Sequence, residues 1–104
     1  MIKIKYGNIS YTKNDTFSIR VFPKCEGVFE EGMQLRFIIS ETEGDTAIID
    51  EVFNIDEDLT FTITLSSTNK AKLNYGDYFY KMILIKNNSV ITKKSGNFEV
   101  KWGA

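Results

Sequence analysis

The 104-residue chain is predicted to fold as an all-β sandwich of about seven to eight short antiparallel strands. Apolar and polar residues alternate with a period of two in several short runs, which is the pattern of half-buried strands. Ile, Val, Thr, Phe and Tyr are plentiful, and these residues suit a pleated surface. Turn signals separate the runs at fairly regular spacing, and no linker interrupts them. Residues 1–104 are therefore predicted to form one domain.

Four strands are predicted in the first half of the chain. Met33–Ser40 is the clearest candidate for a central strand, because every second residue is apolar from Met33 to Ile39. Pro23 removes a backbone donor and is expected to end the strand before it. The four predicted strands are Met1–Lys5, Thr16–Phe22, Met33–Ser40 and Thr46–Phe53.

The second half is predicted to add four more extended segments and one short helical turn. The turn is expected near residues 67–72, with Ser67 or Thr68 as its N-terminal cap. The most regular alternation of the whole chain lies between residues 59 and 65. The four predicted segments are Leu59–Leu65, Leu73–Lys86, Val90–Lys94 and Asn97–Trp102.

An aromatic cluster raises the question of a ligand platform. The stretch "LNYGDYFYKMILIK" places four aromatic residues within six positions, directly around a Gly-Asp corner. Tyr78 stands two residues after the glycine, where Greek-key sandwiches carry a buried tyrosine whose hydroxyl bonds back to its own loop. We therefore predict a structural tyrosine corner at Tyr78, with Tyr80, Met82 and Leu84 also facing the core. A ligand platform is the alternative interpretation.

Several kinds of chemistry are disfavoured by composition. The chain has no histidine, and its single cysteine, Cys25, is expected to be an idle or buried residue. Asn54–Asp58 begins like a calcium-binding loop, but Leu59 stands where that loop requires glycine. No catalytic residue, cofactor site or metal site is predicted. A formal net charge of −1 with dispersed charges argues against nucleic-acid binding. No signal peptide or membrane span is predicted, so we expect cytoplasmic synthesis.

The second face of two neighbouring predicted strands is unusually apolar for a sheet that faces water. Either these side chains pack beneath loops, or they form a contact surface for a partner or a sugar. A subunit interface would account for them. The candidate interface residues are Ile38, Phe79, Ile83, Ile85 and Trp102.

Five segments together carry a resemblance that covers the chain from about Asn14 to Val100. They are "DTFSIRV", "GMQLRFII", "FTITLS", "LNYGDYFYKMIL" and "VITKKSGNFEV". In this combination the sequence resembles the immunoglobulin-like domains of tailed-phage structural proteins, and it is similar to the N-terminal domain of baseplate upper proteins. The resemblance implies an immunoglobulin-like Greek-key sandwich.

The same resemblance implies a function without catalysis, because the family shares no catalytic residues. It implies a structural or adaptor domain of a phage or prophage tail or baseplate, which meets other virion proteins or further copies of itself and is assembled into the virion. A carbohydrate-binding module is the alternative hypothesis, with Tyr75, Phe79 or Trp102 stacking on a sugar ring. An enzyme is the least favoured function.

Overall fold

The computed structural model describes residues 2–5, 7–13, 16–21, 29–42, 44 and 46–101. These residues form strands and one short helix. The strands are β1 (Ile2–Lys5), β2 (Asn8–Thr12), β3 (Ser18–Val21), β4 (Met33–Ser40), β5 (Ala47–Asn54), β6 (Phe61–Thr64), β7 (Gly76–Lys86) and β8 (Ser89–Lys101), and the helix is α1 (Ser67–Lys70). Among the described residues, no helix is both long enough and apolar enough to cross a membrane.

The strands form two sheets, and the prediction of an all-β sandwich is confirmed. One sheet has six strands in the order β1-β2-β8-β7-β4-β5, and the other pairs β3 with β6. Placing β3 and β6 apart from β4, β7 and β8 is the Greek-key arrangement of an immunoglobulin-like sandwich. The prediction of purely antiparallel strands was wrong at one pair, because β2 runs parallel to β8.

The core lies between the sheets and is rich in aromatic rings. The ring of Phe17, just before β3, lies 5.2 Å from that of Tyr11, 6.1 Å from that of Phe37 and 5.8 Å from that of Phe98. One side chain thus joins the two-stranded sheet to β2, β4 and β8, in geometries that aromatic pairs favour. The predicted inward positions of β4 and β7 are confirmed: Met33, Leu35, Phe37, Ile39, Tyr78, Tyr80, Met82 and Leu84 all belong to the core or pack against it.

The end of the chain differs from its prediction. Val90–Lys94 and Asn97–Trp102 were expected as separate strands, yet β8 runs unbroken from Ser89 to Lys101. Gly96 was expected to break the strand. Instead it pairs with Tyr80 of β7, and the ladder continues on both sides of it. The β7–β8 turn is formed by Asn87 and Asn88, which both have positive φ, as a tight two-residue hairpin requires.

Other elements also differ from their predictions. β2 was missed, because it is a short polar-rich strand whose Ile9 and Tyr11 are recognisable as core residues only in the folded chain. β6 begins at Phe61 rather than Leu59, since Leu59 has a φ of 60° and lies in a turn. The helix was predicted in the right place, but its cap is Ser66, whose hydroxyl accepts from the Asn69 N–H at 3.2 Å.

Candidate interaction surface

The six-stranded sheet has one face in the core and a second face, which we call the outer face. Cross-strand register defines its members: Ile83 lies opposite Arg36 of β4 and Lys93 of β8, while Leu84 on the other side of β7 belongs to the core. Side chains alternate between the two faces along each strand. The outer face therefore carries the odd-numbered residues of β7 and the even-numbered residues of β4.

The apolar half of the outer face lies on β7, β4 and β5. Of the predicted interface residues, Ile38, Phe79 and Ile85 are half-buried there, whereas Ile83 is only 8% exposed. Ile83 does not belong to the core cluster between the sheets. Its neighbours across the ladder are Arg36 and Lys93, whose aliphatic stems can cover it while their charged ends stay in water. Four of the five predicted residues thus share this face.

Two further residues complete the description of the apolar half. Trp102, the fifth predicted interface residue, lies outside the described residues. Val52 on β5 was not predicted, yet it is 53% exposed and stands opposite Arg36 on the same face. Its position could have been predicted from the sequence. Val52 is three residues after the core residue Ile49 on β5, so the two side chains point to opposite faces of the sheet. We define the apolar half as Ile38, Val52, Phe79, Ile83 and Ile85.

A bidentate ion pair crosses the apolar half from β4 to β5. The Arg36 Nε donates to Asp50 Oδ1 at 2.7 Å, and Nη2 donates to Oδ2. Because of the hydrogen bonds from Arg36, the pKa of Asp50 lies below its usual value. The pKa of Arg36 is raised by the same contact. The pair fastens the edge strand β5 to the sheet with planar, directional bonds.

The polar half of the outer face lies on β1, β2, β8 and the start of β7, and it contains a shallow groove of about 420 Å³. Its two carboxylates are Asp77 and Glu99, and the Lys101 ammonium lies 3.8 Å from Glu99. Amide and hydroxyl groups line the groove between the charges. The lining residues are Lys3, Lys5, Asn8, Ile9, Ser10, Asp77, Asn97, Glu99 and Lys101.

Charge is distributed unequally between the outer face and the rest of the chain. Its carboxylates are Asp50, Asp77 and Glu99, and its cations outnumber them. The cations are Lys3, Lys5, Arg36, Lys81, Lys93 and Lys101. The described outer face thus has a formal net charge of +3. Since the whole chain carries −1, the remainder carries −4. This charge is not visible as a cluster in the sequence, because the six cations come from four separate strands, β1, β4, β7 and β8.

The aromatic cluster is divided among three environments. Tyr78 and Tyr80 point into the core, and Phe79 between them lies on the outer face. The Tyr78 hydroxyl accepts a hydrogen bond from the Asn74 N–H at 2.9 Å, which is the bond expected of a tyrosine corner. Tyr75 is exposed before β7, with the Lys13 ammonium 5.3 Å from its ring centroid. The four rings therefore do not form one platform.

The side chains that could react or bind a metal ion do not form a site in the described part of the chain. Cys25 lies outside the described residues. The described part of the chain has no cluster of three or more carboxylate, thiol or imidazole side chains that could hold a metal ion. In the calcium-like stretch, Asp56 accepts from the Thr62 hydroxyl at 2.8 Å and Asp58 pairs with Arg20 at 2.5 Å. These contacts use the acidic side chains within the protein.

Comparison with known proteins adds no family assignment. The sequence matches no family model and no curated protein.

Proposed function

We propose that this protein is a non-enzymatic structural or adaptor domain that assembles with other proteins through its outer face. The assembly implied by the sequence resemblance is the tail or baseplate of a phage or prophage. The observation that carries the proposal is the apolar half, because it lies on the side away from the core and four of its five side chains are at least partly exposed. Val52 is 53% exposed, and Ile38, Phe79 and Ile85 are each half-buried.

Physical reasoning supports a contact surface here. A sheet face that meets water is normally polar, so adjoining aliphatic and aromatic side chains on such a face mark a place where a partner binds. Covering them would contribute roughly 25 cal/mol for each Å² of apolar surface removed from water. The Arg36–Asp50 pair and Lys81 lie among these apolar side chains, and Lys93 lies at their edge. The surface therefore offers charged as well as apolar contacts, as protein interfaces commonly do.

The proposal is tested by asking whether the protein enters tail particles through this face. A tagged chain would be produced in the cell that encodes it, particles would be purified on a density gradient, and the chain would be quantified in them. Val52→Asp and Phe79→Ser should each lower its amount in particles about tenfold while leaving it soluble. Thr64→Asp is the matched control, because Thr64 is exposed on β6 in the other sheet.

Two results would overturn this function. One is a wild-type chain that never enters particles. The other is a Val52→Asp chain that enters them as well as Thr64→Asp does. Val52→Asp and Thr64→Asp both replace a β-branched residue at an exposed strand position with aspartate. A general effect of the added charge would therefore lower incorporation of both variants equally.

A carbohydrate-binding module is the second candidate, and the groove of the polar half supports it. The amides of Asn8 and Asn97 and the carboxylates of Asp77 and Glu99 can bond sugar hydroxyls. Titration with a panel of cell-wall glycans should then shift the backbone amide resonances of Asn97 and Glu99. Unchanged spectra across the panel would argue against this candidate.

A further inference from the structure

We propose that the outer face of one copy binds the acidic turn of a second copy, in a head-to-tail contact. The acidic turn is defined as residues 55–60, between β5 and β6. The inference rests on the proposed function and names the partner for the same face. It follows from the charges, exposure and positions of the two surfaces.

The acidic turn is a compact structure with an excess of negative charge. The Asp56 N–H donates to the Thr60 carbonyl at 2.8 Å, and the Leu59 N–H donates to the Asp56 carbonyl at 3.0 Å. The turn carries three successive carboxylates, Asp56, Glu57 and Asp58, of which Asp58 pairs with Arg20. Hydrogen bonds from Thr60 and then Arg20 lower the pKa of Asp58, which keeps this carboxylate ionised.

An exposed leucine stands among these carboxylates. Leu59 is 40% exposed and does not belong to the core cluster. Its φ of 60° lies in the left-handed region, which a leucine rarely adopts. The turn therefore presents one apolar side chain surrounded by negative charge.

The outer face offers the complementary arrangement. Two lysines belong to this arrangement: Lys81 lies within the apolar half, between Phe79 and Ile83 on β7, and Lys93 lies at its edge, opposite Ile83 on β8. Neither ammonium forms an ion pair with any described residue. A leucine with carboxylates around it would place apolar atoms on the half-buried Phe79 and Ile85 and negative charges beside the two lysines.

A chain cannot place its own turn on its own outer face. Asp56 bonds Thr62 of β6, and Asp58 bonds Arg20 of β3, so the turn is held beside the two-stranded sheet. The outer face is on the opposite side of the sandwich. The contact is therefore intermolecular, and it joins two different surfaces. Repetition of such a contact produces a ring or a filament.

Other occupants fit the charges less well. Two outer faces packed against each other around a two-fold axis would bring a surplus of positive charge against itself. A nucleic-acid backbone would meet Asp50, Asp77 and Glu99 on the face and would leave its apolar half without apolar contacts. The acidic turn provides both an apolar side chain and carboxylates.

The test is a charge exchange between two variants of the purified chain, followed by sedimentation velocity and light scattering over a concentration series. Lys81→Glu with Lys93→Glu reverses the face, and Asp56→Lys with Glu57→Lys reverses the turn. Each variant alone should associate at least about tenfold more weakly than wild type. Mixed in equal amounts they should associate again, because the intact turn of one can bind the intact lysines of the other.

The matched control is Lys70→Glu with Lys72→Glu, at the end of α1, because neither lysine belongs to the outer face or to the acidic turn. It changes the net charge as much as the face reversal does, and it should associate as wild type does. Raising the salt from about 50 mM to about 500 mM should weaken wild-type association, because exposed charges become screened. Circular dichroism would verify that each variant is folded.

The possible outcomes separate this inference from the proposed function. A wild-type chain that stays monomeric at every concentration overturns the second copy as partner, whereas the particle test of Val52→Asp would still decide the function. Wild-type association that the two reversed variants do not restore on mixing excludes the acidic turn as the occupant. Restored association in the mixture supports the inference.

Discussion

The Tyr78 hydroxyl accepts a hydrogen bond from the backbone N–H of Asn74 at 2.9 Å, and the tyrosine ring is buried at the start of β7. The bond joins the loop after α1 to the strand that follows it. It also places Tyr78 inside the sandwich, so that the next residue, Phe79, must point to the outer face. The Tyr78 bond and the strand alternation together therefore place the ring of Phe79 on the side away from the core.

Replacing Tyr78 with Phe removes this bond and keeps the ring. We expect a loss of about 1 kcal/mol in the free energy of unfolding, because the N–H of Asn74 loses its acceptor. Urea denaturation followed by circular dichroism measures the change. Asn74→Ala is the control, since it keeps the backbone donor and should leave the stability close to that of wild type. Equal stability of Tyr78→Phe and wild type would contradict the prediction.

Gly96 allows β8 to approach the residues before β2. A Cβ on Gly96 would lie 2.3 Å from the Gly7 carbonyl oxygen and 3.0 Å from Cε1 of Tyr80, whose hydroxyl donates to that same oxygen. Gly96→Ala should therefore lower the free energy of unfolding by about 2 kcal/mol, because backbone has to move. Thermal unfolding would show the loss. Ser95→Ala is the control, because Ser95 is exposed on the outer face, and it should be as stable as wild type. Equal stability of Gly96→Ala and Ser95→Ala would show that the approach of Gly96 to Gly7 does not affect stability.

The pair of Arg36 and Asp50 should make stability depend on pH in the acid range. The folded-state pKa of Asp50 lies below the ordinary value of 3.8, so its contribution is present above that value and is lost as pH falls through the folded pKa. The pair is partly exposed, so we expect only about 0.5 kcal/mol. Urea unfolding at a series of pH values measures it.

Two variants isolate that contribution. Asp50→Asn should be less stable than wild type near neutral pH, and the difference should disappear in acid. Arg36→Gln should show a similar loss near neutral pH, because the same bond is missing. A difference between Asp50→Asn and wild type that stays constant down to strongly acidic pH would refute the assignment.

Leu59 should reduce stability because of its backbone conformation. Leu59→Gly relieves the positive φ of 60° and should raise the free energy of unfolding by about 1 kcal/mol. Leu59→Ala keeps the unfavourable φ and should give no such gain. Both variants lack the exposed side chain, so both should self-associate more weakly in sedimentation experiments. A gain in stability that is the same for Ala and Gly would show that φ is not its cause.

The sequence was sufficient to predict the core side of the strands. In β4 and β7 the alternation of apolar and polar residues is local, and a strand that buries one face must bury every second residue. The inward positions of Phe37 and Tyr80 and the outward position of Phe79 follow from that rule. The hairpin at Asn87 and Asn88 was also predictable, because turn residues act on their own backbone.

Only the tertiary structure decided which strands become neighbours. The parallel pairing of β2 with β8 joins opposite ends of the chain, and it depends on the close approach of Gly96 and Gly7 rather than on a local pattern. Lys3, Lys81 and Lys101 are far apart in sequence but share the outer face because of this strand order. Alternation determines the side on which a residue lies, whereas the net charge of a face is a sum over strands that the fold must first bring together.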